Sequence, residues 1–308
     1  MLANFFGKSN PANFIILFLI FLGFYVANFL TAFSLDLFTI DVLIHELIIV
    51  GLFVLLFFIF NFILSKNKLT LYNSYGFLFF VLLLGIFPFT MMDRDVLIVN
   101  VVLLIFLRRV YSLRTPKSVL KKMFDSGFWL AILFILSPFT LIYGLFLYAS
   151  ILLFQKLNFR TFLIPLVGFL VPMLCYFTYC FWFDNVDGFL ELFSWYTDYN
   201  FQFYTSIEIV APLIFLGLIA LISIILKTPK VFLISGNYRK FWTLTLLNLI
   251  VAIGLVVFTK NKTGAELLCV FFPLTIVLTN WIEGITKRFY QDVILAVFTL
   301  IPIIVFII

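Results

Sequence analysis

Long apolar runs separated by short polar breaks organise this chain, and the breaks alternate in the sign of their charge. Lys66 and Lys68 are followed by Asp93 and Asp95, then by a basic stretch from Arg108 to Lys122. An acidic stretch from Asp184 to Glu208 comes next, then a basic one from Lys227 to Lys240. A helix needs roughly 20 apolar residues to cross the hydrocarbon layer. Continuous apolar runs of that length have no better explanation than membrane-spanning helices, which satisfy their own backbone hydrogen bonds. The pattern predicts helices at about 13–33, 43–64, 70–90, 96–107, 161–183, 209–226, 241–259, 265–282 and 292–308. Residues 125–155 hold two short apolar segments either side of Ser137-Pro138, readable as a hairpin of two helices or as one kinked span. The hairpin keeps the alternation of charge in step. The expectation is an all-α, polytopic transmembrane helix bundle of about 10–11 spans, some short or kinked, in a single integral membrane domain covering 1–308.

The run from 96 to 107 is short for a span and leads into Arg108-Arg109. Beyond it Val110, Leu113, Val119, Leu120 and Met123 alternate with Arg114, Lys117, Lys121 and Lys122, which suits a helix lying in the membrane interface. Cytoplasmic loops carry the Lys/Arg excess, so the N-terminus is expected inside and the acidic breaks outside. Trp182, Trp195, Tyr196, Tyr199 and Tyr204 in the longest acidic break fit an interfacial aromatic belt. The run Phe14 to Leu30 exceeds the apolar core of a signal peptide and reads as an uncleaved first helix.

Composition sharpens the class. The chain is 65% hydrophobic and 11% charged, with a mean hydropathy of +1.23, too little polar surface for a water-soluble domain of this length. The net charge of +6 sits beside spans, where it fixes orientation and attracts anionic lipid; no nucleic-acid partner is implied. Cys175, Cys180 and Cys269 lie in apolar runs without a CxxC spacing and read as packing residues.

Chemistry-bearing residues are few. His45 is the lone histidine, too few for the usual zinc or non-haem iron ligand sets, so no metal and no cofactor are expected. Asp41 and His45, four apart, share a helix face if that helix starts early. Glu46 and Glu266 lie at the margins of apolar runs, where ionisable groups tend to be functional. Arg94, Lys260 and Lys262 break the sign pattern by standing on the acidic side. Basic groups there are suited to a lipid phosphate, and Gly264 allows a tight turn into the following helix.

Two stretches, Asp125-Ser-Gly-Phe-Trp-Leu-Ala through Asn158-Phe-Arg-Thr-Phe-Leu-Ile-Pro and Lys260-Asn-Lys-Thr-Gly-Ala-Glu-Leu-Leu through Phe272-Pro-Leu to Asn280-Trp-Ile-Glu, accompany an opening Phe5-Phe-Gly-Lys-Ser-Asn-Pro. Together they resemble an uncharacterised family of polytopic inner-membrane proteins from Bacteroidetes, a domain of unknown function. That resemblance implies a bacterial inner membrane and no established activity. Some members carry a beta-carotene monooxygenase label, against which the single histidine argues. A looser resemblance is to C-type, polyprenyl-phosphate-dependent glycosyltransferases. It rests on Lys260 or Lys262 ahead of an apolar run with Pro273, and on Asp36 or Asp41 after the first helix. It implies Asp36 or Asp41 as the catalytic acid, and Glu46, at the margin of its apolar run, joins them as a catalytic candidate. The chain departs from those enzymes in the shortness of its first outer loop.

Three functions follow as alternatives. The leading one is an envelope-biogenesis protein that binds a polyprenyl- or phospho-lipid at the outer leaflet through Lys260, Lys262 and Arg94. The second is a non-enzymatic subunit docking a membrane-protein partner along Arg108–Lys122. The third is a transporter.

Overall fold

The structure is a computed structural model describing all residues except 33–38, 156–157, 195–199, 234–235, 261 and 308. Among the described residues there are thirteen α-helices and no strand. They are α1 (Leu2–Phe6), α2 (Pro11–Ala32), α3 (Ile40–Asn67), α4 (Tyr75–Ile86), α5 (Arg94–Tyr111), α6 (Val119–Leu136), α7 (Tyr143–Phe154), α8 (Phe159–Trp182), α9 (Val186–Glu191), α10 (Ile207–Leu233), α11 (Asn237–Phe258), α12 (Leu268–Glu283) and α13 (Arg288–Ile307). Among the described residues eight segments are long and apolar enough to cross a membrane, while Tyr75–Ile86 and Pro138–Phe154 are shorter apolar helices.

Two compact units share the chain. The first comprises Met1–Leu97, Asn200–Ser235 and Lys262–Ile308; the second comprises Ile98–Tyr199 and Gly236–Asn261. Within the first unit, α4 is buried along its whole length and α12 almost as fully. Helices α2 and α13 pack on α4, and α10 packs on α12. Phenylalanine rings mesh at this core: Phe57 meets Phe77 edge-on at 4.9 Å, and Phe60 meets Phe80 at 4.8 Å. Aromatic pairs of this kind add about 0.5–1.5 kcal/mol each beyond the area they bury.

Charge gives this unit two distinct ends. Helix α3 runs from Asp41 to Lys66 and α10 from Glu208 to Lys230. At the basic end, the Glu283 carboxylate closing α12 accepts hydrogen bonds from the Leu71 amide (2.9 Å) and the Asn73 side chain (2.6 Å). Asn280 donates to the Leu69 carbonyl at 2.9 Å. The turn after α3 is thereby tied to the end of α12.

In the second unit α6 and α8 pair along much of their length. Their contact is unusually close because two glycines face it. A Cβ added at Gly127 would sit 2.0 Å from the Pro165 carbonyl oxygen, and one at Gly168 would sit 2.2 Å from that of Phe124. Small residues at such crossings let membrane helices approach backbone to backbone. Ala131, Phe134, Met173 and Leu192 form the buried cluster beside it.

Two sequence expectations are resolved here. At Ser137 the backbone is extended, a 3₁₀ turn over Pro138–Ile142 follows, and α7 begins at Tyr143. A Cβ added at Gly144 would lie 3.7 Å from Leu130 Cδ2, whereas a continuous helix would separate residues fourteen apart by roughly 21 Å. The chain therefore turns back at Ser137. The separate interfacial helix expected over Arg108–Lys122 is absent. Helix α5 continues through Arg108 and Arg109, a 3₁₀ turn covers Ser112–Arg114, and α6 starts at Val119. Val110, Leu113 and Met123 are fully buried. Three of the cations have internal partners: Arg109 pairs with Asp125 at 3.3 Å, Lys122 donates to the Ser112 carbonyl at 2.8 Å, and Arg114 lies over the Phe241 ring.

Candidate functional site

At the acidic end of the first unit, three turns and one helix start converge. A 3₁₀ turn over Pro88–Met91 follows α4, another over Gln202–Thr205 precedes α10, and a third over Ala265–Leu267 precedes α12. Their aromatic residues lock together, with Phe89 meeting Phe203 edge-on at 5.2 Å. Gly264 makes the approach possible. Its φ is +83°, and a Cβ there would lie 2.3 Å from Phe203 Cε1 and 2.5 Å from Phe89 Cε2. Only a residue without a side chain fits both the backbone conformation and the space.

This frame bounds an open pocket of about 480 Å³. Its polar walls are His45 from α3, Asp93, Arg94 and Asp95 from the start of α5, and Thr263; Phe89, Met92 and Ala265 supply apolar surface. Asp93 is the N-cap of α5: its Oδ1 accepts from the Asp95 and Val96 amides, both at 3.0 Å. That arrangement satisfies the first free amides of the helix and places a negative charge at its positive end. Arg94 and Asp95 form an ion pair at 3.7 Å with both side chains substantially exposed. Exposed pairs of this kind contribute about 0–1 kcal/mol, so a ligand charge displaces either partner at little cost.

His45 is oriented from behind. Its Nδ1 lies 3.3 Å from Glu46 Oε1, and the other oxygen of Glu46 accepts a short hydrogen bond from the Tyr25 hydroxyl of α2. With Nδ1 occupied, Nε2 is the ring nitrogen left for the pocket, the arrangement by which a carboxylate fixes an imidazole's tautomer and direction. One residue beyond the pocket wall, Glu266 is buried, and its Oε1 accepts from the Tyr204 hydroxyl at 2.7 Å. Burial, then this hydrogen bond and the negative charge of Glu266, hold the Tyr204 phenol far above its ordinary range.

Of the residues singled out from sequence, the pocket gathers Arg94 and His45. Glu46 stands behind His45 as its support. Asp41 is exposed in the first turn of α3 and is not among the pocket's walls. Asp36 lies outside the described residues. The Lys262 ammonium sits 4.6 Å over the Phe201 ring, a cation–π contact, one residue from Thr263. Lys260 is exposed and belongs to the second unit. Sequence reasoning missed Thr263, Asp93 as a cap, and Tyr25 as a partner of Glu46. The Asp-Arg-Asp run ahead of an apolar stretch was the available cap signal. Among the described residues no group of three or more His, Cys, Asp or Glu side chains could hold a metal ion.

Eight apolar helices of spanning length, with charged residues gathered at their ends, define a multi-pass membrane protein. Residues 8–308 match the family described as Family of unknown function (DUF6427), and the chain belongs to that family. No curated protein and no solved structure matches it.

Proposed function

We propose that this protein binds a phosphate-bearing membrane lipid, a polyprenyl- or phospho-lipid of the cell envelope, at the acidic end of its first unit. The observation that carries the reading is the pocket itself. It brings Arg94, an exception to the sign of its surroundings, together with His45, Thr263 and the apolar Phe89 and Met92. Arginine's planar fork is suited to phosphate oxygens, and apolar wall beside it is suited to the glycerol or isoprenoid stem. The positive-inside rule assigns the end bearing Lys66, Lys68, Lys227 and Lys230 to the cytoplasm and the pocket to the outer leaflet. A second feature supports a lipid ligand: an apolar groove of about 480 Å³ between α10 and α13, lined by Ile207, Ala211, Pro212, Phe215, Val297 and Ile301 among others. It begins at the first residue of α10, immediately after the turn that carries Phe203.

The test is native mass spectrometry of the full chain purified in a mild detergent, with co-purified phospholipid and polyprenyl-phosphate quantified. Arg94→Gln should reduce retention of phosphate-bearing lipid about tenfold, the scale of one charge-assisted contact. Lys262→Ala should have a smaller effect, because its ammonium is engaged with Phe201. Equal lipid retention by wild type and Arg94→Gln would remove the proposal.

A further inference from the structure

We infer that the headgroup taken by this pocket is zwitterionic, a phosphate carrying a primary ammonium. This rests on the lipid-binding reading above and adds the chemistry of the group. The pocket carries charges of both signs within three consecutive residues, Asp93, Arg94 and Asp95. A headgroup that is only anionic would meet two carboxylates beside the one arginine, and one that is only cationic would meet the arginine. A ligand with both charges a few ångströms apart replaces the loose Arg94–Asp95 pair by two pairings, its phosphate on Arg94 and its ammonium on Asp95.

The remaining partners divide the same way. Asp93 spends Oδ1 on the cap of α5 and keeps Oδ2 for an N–H donor. His45 is held through Nδ1–H by Glu46, which leaves its Nε2 an acceptor for an N–H of the ammonium; the Thr263 hydroxyl serves the phosphate side. The kind of ammonium follows from the aromatic surface. Quaternary ammonium groups are recognised by cages of aromatic faces, and among the described residues Phe89 is the one aromatic wall of this pocket. Its ring is engaged with Phe203 at 5.2 Å and Phe87 at 5.7 Å. Carboxylates instead recognise N–H donors, which a primary ammonium has and a quaternary one lacks. The group is therefore of the phosphoethanolamine type.

The full chain, reconstituted in nanodiscs and equilibrated with labelled phosphatidylethanolamine, phosphatidylglycerol or phosphatidylcholine as minor component, provides the test. Wild type should bind the ethanolamine lipid about tenfold more tightly than either other lipid. Asp95→Asn should abolish that preference, leaving phosphatidylglycerol binding equal or stronger. Arg94→Gln should weaken all three. Elution volume and melting temperature identical to wild type qualify each variant, and Asp93→Asn, which keeps a capping side chain, serves as the second carboxylate variant. Equal binding of the three lipids by wild type, or an intact preference in both aspartate variants, overturns the zwitterion assignment. The lipid-binding reading survives that outcome if Arg94→Gln still weakens phosphatidylglycerol, and falls if Arg94→Gln changes nothing.

Discussion

Replacing Gly127 or Gly168 by alanine should destabilise the protein, although alanine is the better helix former. The added Cβ at Gly127 would meet the Pro165 carbonyl oxygen at 2.0 Å, its carbon at 2.8 Å and its Cα at 3.0 Å; at Gly168 it would meet the Phe124 oxygen at 2.2 Å. Ordinary contacts lie near 3.5 Å, so α6 and α8 must part by at least about 1 Å. The obstruction is backbone on a packed helix, which no rotamer change relieves. Parting also loosens Ala131, Phe134 and Met173, buried beside the crossing. Overpacking costs about 1–3 kcal/mol, against a propensity gain of about 0.5–1 kcal/mol for Gly to Ala. The net is a loss of up to about 2.5 kcal/mol per substitution, and the backbone obstruction places these two sites at the upper part of that range. The two should be less than additive together, because one displacement relieves both clashes. The protein supplies its own controls. A Cβ at Gly23, Gly51 or Gly217 meets nothing within 4 Å, so alanine there should be neutral or mildly stabilising. Thermal unfolding in one fixed detergent, followed by thiol-reactive dye on the buried Cys180 and Cys269 with Cys175→Ser as background, ranks all five variants. If Gly127→Ala and Gly168→Ala melt with the three controls, the close α6–α8 crossing is wrong.

Tyr204→Phe removes a hydrogen bond to the buried Glu266 and should cost about 1.5–3 kcal/mol near neutral pH. The phenol's value is raised on folding from an ordinary 10.0, so its stabilisation is fully present below pH 10 and lost as pH rises further. The stability gap between wild type and Tyr204→Phe, measured by denaturant titration at several pH values, should be constant from pH 6 to 9 and shrink above pH 10; a gap that grows there contradicts the sign. Gly264→Ala must adopt the left-handed backbone region and displace Phe89 and Phe203, so it should lower both melting temperature and lipid retention, whereas an unchanged lipid profile would separate Phe89 from the pocket. Glu283→Ala leaves the Leu71 amide and the Asn73 side chain without their acceptor, at a cost of about 3 kcal/mol. Limited proteolysis should then cut faster within residues 69–74, and an unaltered digestion pattern would show that turn to be held by other contacts.

The positions of the spans were readable because the bilayer imposes one rule on every crossing segment: about 20 apolar residues with internally satisfied backbone. Which spans lie inside was not readable from hydropathy. Helix α12 has 89% of its spanning window buried and α13 only 17%, yet both are continuous apolar runs. Thr275, Thr279 and Asn280 on α12 are buried, and polar side chains at membrane depth turn towards protein rather than lipid, so the sequence of α12 does carry a mark of its burial. The stretch from Arg108 to Lys122 misled for the opposite reason. Cations alternating with apolar residues describe an interfacial helix equally well as two helix ends joined by a turn. What separates the two is tertiary: Asp125 opposite Arg109, and carbonyls of Ser112 and Thr115 within reach of Lys122.

The pocket was legible only where a residue contradicted its neighbourhood. A cation among carboxylates costs nothing extra in water, so Arg94 carries information through its company: Asp93 is committed to a cap and Asp95 to a loose exposed pair, leaving a guanidinium poised between acceptors it does not fully use. His45 gave no such contrast, because a histidine at a helix start is ordinary. Its orientation depends on Glu46, which is held by the hydroxyl of Tyr25 one helix earlier, and no spacing in sequence announces that chain of three. Lys260 and Lys262 contradicted their surroundings as clearly as Arg94 did, yet neither lines the pocket. A sign exception thus marks where an anion could be attracted; geometry decides which cation reaches it. The comparison of Arg94→Gln with Lys262→Ala in lipid retention measures that difference directly, and equal losses from the two would mean that charge at this end acts collectively rather than through a built site.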